Sequence, residues 1–236
     1  MINRCGLIRK KADMSMEEFR DFWFYNHGPI GASMKNLKHY AQHLVLDRQQ
    51  RLPAPRVDYE MDGYSELWFD DIRDMEEGVA SLKGAGTADL ANFTEETRLL
   101  VFVKRFVTPI PEELKGQKLV KYVAFMGRGE GVSAERFHRC WLEKYAEAAK
   151  ALPGVAACAQ NIVIDRLVAG QHATYEAVPV EGMEELWFRS MEDLERCFAS
   201  EEFAAAQELA KGFAGPVSTY LFETAKYPVP GIVEEE

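Results

Sequence analysis

Three side chains in the first half of the chain are of types that bind or transfer protons: His27, His43 and Tyr64. His27 follows Trp23 by four residues and Phe19 by eight, so all three share one helical face. A helix end favours the imidazolium and partial burial opposes it, which would hold such a histidine near neutrality for general acid or base work. The same position also suits a histidine that simply bonds the last carbonyls of its helix. His43 lies in an alternating stretch and shares a side with His39, Ala41 and Val45. In the next alternating stretch Tyr64, Glu66 and Trp68 share one side, and Ser65, Leu67 and Phe69 the other. The Leu–Phe side suits contact with helices, so Tyr64, Glu66 and Trp68 should face an interior. A glutamate there needs a cation or a proton, so Glu66 either meets substrate or pairs with a base to fix the architecture. The chemistry this set suggests is proton abstraction next to a carbonyl. His27 would shuttle the proton while Tyr64 and His43 bond substrate oxygens. Trp23, Tyr40 and Trp68 would form apolar wall, with Glu66 beside them as a substrate-binding carboxylate.

The elements that must position these residues are written twice. At an offset of 118 residues, Ser15, Glu17, Phe19 and Trp23 fall on Ser133, Glu135, Phe137 and Trp141. Ala41, Gln42, Val45, Asp47 and Arg48 fall on Ala159, Gln160, Val163, Asp165 and Arg166. The register then slips by one, and Glu66-Leu67-Trp68-Phe69 returns as Glu185-Leu186-Trp187-Phe188. Each half reads strand, helix, strand, strand, helix, strand, which is the ferredoxin-like βαββαβ unit of an antiparallel sheet with helices on one face. In the first half the strands fall near Asn3–Arg9, His39–Asp47, Tyr64–Phe69 and Leu99–Phe106. The first helix starts at a Ser15–Glu18 capping box and should stop at His27-Gly28-Pro29, where glycine gives a left-handed cap and proline bars continuation. The second helical region breaks around Gly84–Gly86. The chain divides into a first repeat (1–106), a linker (107–118), a second repeat (119–227) and a loose tail (228–236). The fold class is therefore α+β, with the bare faces of two sheets covering each other.

These motifs in this order resemble the EthD family of the dimeric α+β barrel superfamily. The resemblance rests on Phe-x-x-Phe-Trp-x-x-x-His-Gly-Pro (Phe19 to Pro29), Tyr40-Ala41-Gln42 and Gly-Tyr-x-Glu-Leu-Trp-Phe (Gly63 to Phe69). It is weaker in the second repeat, where Tyr145-Ala146-Glu147 replaces His-Gly-Pro. The resemblance implies a barrel of two halves around a small-molecule cavity, here supplied by one chain, and a role for His27. It also implies cofactor-independent chemistry on a small aromatic or cyclic organic acid or ketone: isomerisation, dehydration, decarboxylation or cofactor-free oxygenation. The alternative is a non-catalytic binding or accessory protein of a catabolic pathway. The halves differ where chemistry would differ: His27, His43 and Tyr64 face Tyr145, Asn161 and Met183. The first repeat is thus the candidate active half.

Other classes drop out. There is no GxGxxG or GxxxxGK[ST] phosphate loop, no GxSxG elbow and no HExxH. His39 and His43 stand ~13 Å apart along a strand, too far for one ion, so no metal and no cofactor is expected. Cys5, Cys140, Cys158 and Cys197 follow no ligand spacing and read as reduced thiols of a cytoplasmic protein. A net charge of −10 disfavours nucleic acid. No apolar run spans a membrane. The remaining partners are a small-molecule ligand and a second copy of the chain, joined through sheet edges as a homodimer of pseudo-dimers.

Overall fold

A computed structural model describes residues 1–231 of the 236. The first half runs β1 (Ile2–Lys10), α1 (Met16–Asp21), a π-helical turn (Phe22–His27), α2 (Gly28–Ala32), β2 (His39–Asp47), β3 (Gly63–Phe69), α3 (Ile72–Ser81), α4 (Ala85–Phe93) and β4 (Thr94–Thr108). The second runs β5 (Val120–Arg128), α5 (Ala134–Arg139), a π-helical turn (Cys140–Tyr145), α6 (Ala146–Lys150), β6 (Val155–Val168), β7 (Gln171–His172), β8 (Gly182–Phe188), α7 (Met191–Phe198), α8 (Glu201–Ala210) and β9 (Ala214–Tyr227).

The strand order is β4-β1-β3-β2-β9-β5-β8-β6, and β6 pairs back onto β4, closing an antiparallel eight-stranded barrel. The two four-stranded halves therefore join edge to edge, at β2–β9 and β4–β6, and closure happens within one chain. The edges expected to mediate further association are consumed by this closure. Among the described residues, only the two-residue β7 adds to the sheet beyond the barrel. An eight-stranded barrel has an interior that side chains can just fill, and here they do. Leu7, Tyr64, Phe102, Phe125, Tyr220 and Phe222 pack inside with at most 3% exposure. Val57, Tyr59, Val178 and Val180, from the loops after β2 and β7, join the same cluster. Arg48 and Arg166 brace those loops, bonding Met61 O and Asp62 in one half and Val180 O and Glu181 in the other.

The first helix does not stop where its sequence suggests. Gly28 is right-handed at φ −52°, and Pro29 enters the first turn of α2, where its missing N–H is not needed. The helix instead widens into a π turn, and the second half does the same without a proline. In both halves a shared glutamine braces that turn: Gln42 Nε2 donates to Trp23 O at 3.1 Å, and Gln160 Nε2 to Trp141 O at 2.9 Å. A shared glycine makes room for the indole. A Cβ on Gly63 would stand 2.6 Å from Trp23 Cζ3, and one on Gly182 only 2.4 Å from Trp141 Cζ3. Gly182→Ala is accordingly expected to cost about 1–3 kcal/mol by overpacking, read from urea melts, with Trp141→Leu restoring tolerance of the alanine. The tail is not wholly loose: Val229 is buried against Ile2, Leu37 and Tyr40, while 232–236 lie outside the described residues.

Candidate functional site

The structure divides the expected site between two layers. His27, Trp23 and Tyr40 lie between the sheet and the helices of the first half. His43, Tyr64, Glu66 and Trp68 point the other way, into the barrel. The split follows from the period of two along β2: Gln42 reaches up to the Trp23 carbonyl, while His43 meets Glu66 inside. No arrangement of these side chains brings His27 beside Tyr64, because the sheet stands between them.

In the helix layer, His27 Nδ1 lies 2.8 Å from Asp89 Oδ2 on α4, and its ring packs on Phe93 at 5.2 Å. A carboxylate only accepts, so Nδ1 carries the proton and Nε2 is left with its lone pair. Among the described residues Nε2 makes no hydrogen bond. Burial lowers the His27 pKa below the usual imidazole value, against the pull of Asp89, so the ring is neutral at pH 7. His27 therefore does not cap a helix. It is an imidazole held at Nδ1 by a carboxylate, with its side chain 12% exposed. Tyr40 Oη accepts from Gln42 Nε2 at 2.8 Å and is fixed in the same layer.

Inside the barrel is a closed polar network with two-fold pseudosymmetry. Glu66 Oε1 accepts from Asn3 Nδ2 (2.8 Å) and Lys104 Nζ (3.1 Å), and Glu66 Oε2 from His43 Nε2 (3.1 Å). Glu185 Oε2 accepts from Asn161 Nδ2 (2.9 Å) and Lys104 Nζ (2.7 Å), and Glu185 Oε1 pairs with Lys121 Nζ (2.6 Å). Asn3 and Lys121 are equivalent positions of the repeat, as are His43 and Asn161. His43 Nδ1 meets Thr224 Oγ1 at 2.8 Å, and the His43 ring stacks on Tyr64 at 4.2 Å. Burial would raise both glutamates, but Lys104 and Lys121 outweigh it and hold both carboxyls ionised, Glu66 well below the usual range. Burial, seconded by Lys121, lowers His43 to about 4. Tyr64 is pushed up by burial and the two glutamates. Two anions meet two cations, and His43 and Tyr64 spend their polar atoms on protein partners. Trp68, half-buried, closes this end over Lys104 at 4.9 Å.

Sequence reasoning missed Lys104, Lys121 and Asp89. The two lysines did leave a signal, since each interrupts an apolar strand at a position of barrel-facing parity. Asp89 left none: it is one of many helical acids, and only the fold carries it to a residue 62 positions away.

Two surface hollows, of about 460 and 480 Å³, lie beside Phe22 and Tyr25 and beside Arg56 and Tyr59, and neither is lined by His27, His43 or Tyr64. Among the described residues no group of His, Cys, Asp and Glu has a metal-binding arrangement, and no helix is long and apolar enough to cross a membrane.

The sequence pattern of the EthD domain matches residues 11–97 and again residues 129–216. The chain belongs to the EthD family. Two EthD domains in tandem account for the repeat. Solved structures share the fold of this EthD chain at low identity. An anthrone oxidase-like protein superposes with a TM-score of 0.64 and 11% identity, over 96% of this chain and 93% of that one. A protein described as a monooxygenase from Lactobacillus acidophilus gives 0.56 and 9%, over 95% and 94%. A protein described as a chlorite dismutase gives 0.52 and 9%, over 94% and 95%. A search by sequence among curated proteins finds no match.

Proposed function

We propose that this EthD protein is a cofactor-independent enzyme of proton transfer, acting on a small aromatic or cyclic organic acid or ketone in the helix layer of its first half. The observation that carries the reading is the His27–Asp89 pair: a neutral imidazole held at Nδ1, with Nε2 unengaged. Nε2 would take a proton from carbon next to a carbonyl, and Asp89 would stabilise the imidazolium that forms, as the acid of a catalytic triad does. Trp23 and Tyr40 supply wall on the same side. Each half is read as a ferredoxin-like unit, with residues 1–106 the working half and 119–227 its partner. His43, Tyr64, Glu66 and Trp68, expected to touch substrate, are read instead as the polar core that joins the halves.

The test is exchange of an acidic C–H for deuterium in D2O, followed by NMR over a panel of aromatic and cyclic acids and ketones. The wild type should exchange at least one of them, and His27→Ala should slow this about 10²–10⁴-fold. Exchange should also fall as acid protonates His27, somewhat below pH 6.5. Equal exchange in His27→Ala would overturn the reading. The alternative, a non-catalytic binding or accessory protein, predicts ligand affinity unchanged in His27→Phe and no exchange at all.

A further inference from the structure

Arg4 stands on β1 in the row that runs across the helix-facing side of the sheet, between Leu67 on β3 and Val101 on β4. Leu67 and Val101 are buried, at 5% and 1% exposure, and so are Ile2 and Ile8 on the same face. Arg4 is nevertheless partly reached by solvent. Among the described residues its guanidinium makes no hydrogen bond, ion pair or ring contact. A cation sunk among apolar side chains with no carboxylate beside it is costly, and proteins rarely keep one without a partner.

Pseudosymmetry shows that the fold does not need it. The equivalent residue in the second half is Tyr122, which fills its place at 1% exposure. The positions around it change in the same direction. In the second half Tyr145 Oη crosses the layer to Glu184 Oε2 at 3.0 Å, closing the space between helix and sheet. In the first half these two positions hold His27 and Ser65, both shorter, and their polar atoms turn elsewhere. His27 leans to Asp89, and Ser65 Oγ accepts from Gly6 N at 3.1 Å. Gly6, two residues from Arg4 on the same face and so ~7 Å along the strand, adds no side chain. On the helix-facing side of the sheet, the positions that hold Glu184, Ala124 and Tyr122 in the second half hold Ser65, Gly6 and Arg4 in the first.

We propose that Arg4 is the anion-binding residue of the His27 site and that the substrate is a carboxylate, held at its oxygens by the Arg4 guanidinium. This rests on the reading of His27 given above and chooses the organic acid over the ketone. A guanidinium matches a carboxylate in two parallel hydrogen bonds, which fixes orientation as well as charge. Burial lowers the Arg4 pKa to about 10, so the cation persists at neutral pH while its desolvation strengthens any ion pair it makes.

The test uses benzoate and its neutral counterpart benzyl alcohol, with the full chain and with Arg4→Met, Arg4→Lys and His27→Ala. Benzoate should bind the wild type and raise its melting temperature. Arg4→Met should weaken benzoate about 10–100-fold, leave benzyl alcohol within a few-fold, and itself melt no lower than the wild type, because it removes an unpaired buried charge. Arg4→Lys should restore part of the benzoate affinity. His27→Ala should keep benzoate binding while losing deuterium exchange, which separates failure of the base from failure of the anion site. Equal benzoate affinity in wild type and Arg4→Met, or a large fall in the melting temperature of Arg4→Met without ligand, would overturn the proposal.

Discussion

Glu185→Ala is expected to cost about 3–5 kcal/mol, because it strands Lys104 and Lys121 in the barrel with only Glu66 to answer two positive charges. Glu185 is fully buried and lies 2.7 and 2.6 Å from the two ammonium groups, so water cannot replace it. In a chain of this size that loss lowers the melting temperature by roughly 10 °C. The paired change Glu185→Leu with Lys104→Met should recover most of it, since Glu66 and Lys121 then balance. Urea melts of the single and double variants give the comparison. A single variant within 1 kcal/mol of wild type would mean that the network does not hold its charges.

The second large effect is on the pH dependence of stability, where two buried groups oppose each other. Burial raises Glu184 from 4.5 to about 7, against the Tyr145 hydrogen bond. The folded state then holds a proton that the unfolded chain releases, so stability is full below pH 4.5 and falls as pH rises from 4.5 to 7. His43 runs the other way, its pKa falling from 6.5 to about 4. Its contribution is full above pH 6.5 and is lost as pH falls towards 4. Each group is worth about 3 kcal/mol over its range. Between pH 4.5 and 6.5 their slopes nearly cancel. Glu184→Gln should therefore expose a protein that weakens towards acid, by about 1 kcal/mol per unit relative to wild type. His43→Asn, which copies Asn161, should expose one that strengthens towards acid. Parallel stability curves for wild type and both variants would show that neither group is perturbed.

The halves are also unequal on the helix-facing side of the sheet. The second half buries an acid, Glu184, that Tyr145 answers. The first carries a base, Arg4, that no residue among those described answers.

Much of this protein was legible in its amino-acid sequence, because the relevant physics is local. The capping box at Ser15 and Glu18 follows from hydrogen bonds within three residues, the break before α4 from the left-handed backbone of Gly84, and β2 from its alternating side chains. The inward turn of Tyr64 and Glu66 follows from the alternation of a strand. The repeat fixed which positions serve packing, and Trp23 with Gln42 does in both halves what Trp141 with Gln160 does. Tertiary structure decided the rest. It continued the helix through Gly28 and Pro29, because the π turn is braced by a glutamine from another strand. It placed His27 and His43 on opposite faces of one sheet, a relation that no spacing between residues 27 and 43 encodes. It brought Asp89 to His27, Lys104 to both glutamates and nothing from the described chain to Arg4. Such pairings depend on where distant strands close, and barrel closure is a property of the whole chain rather than of any segment.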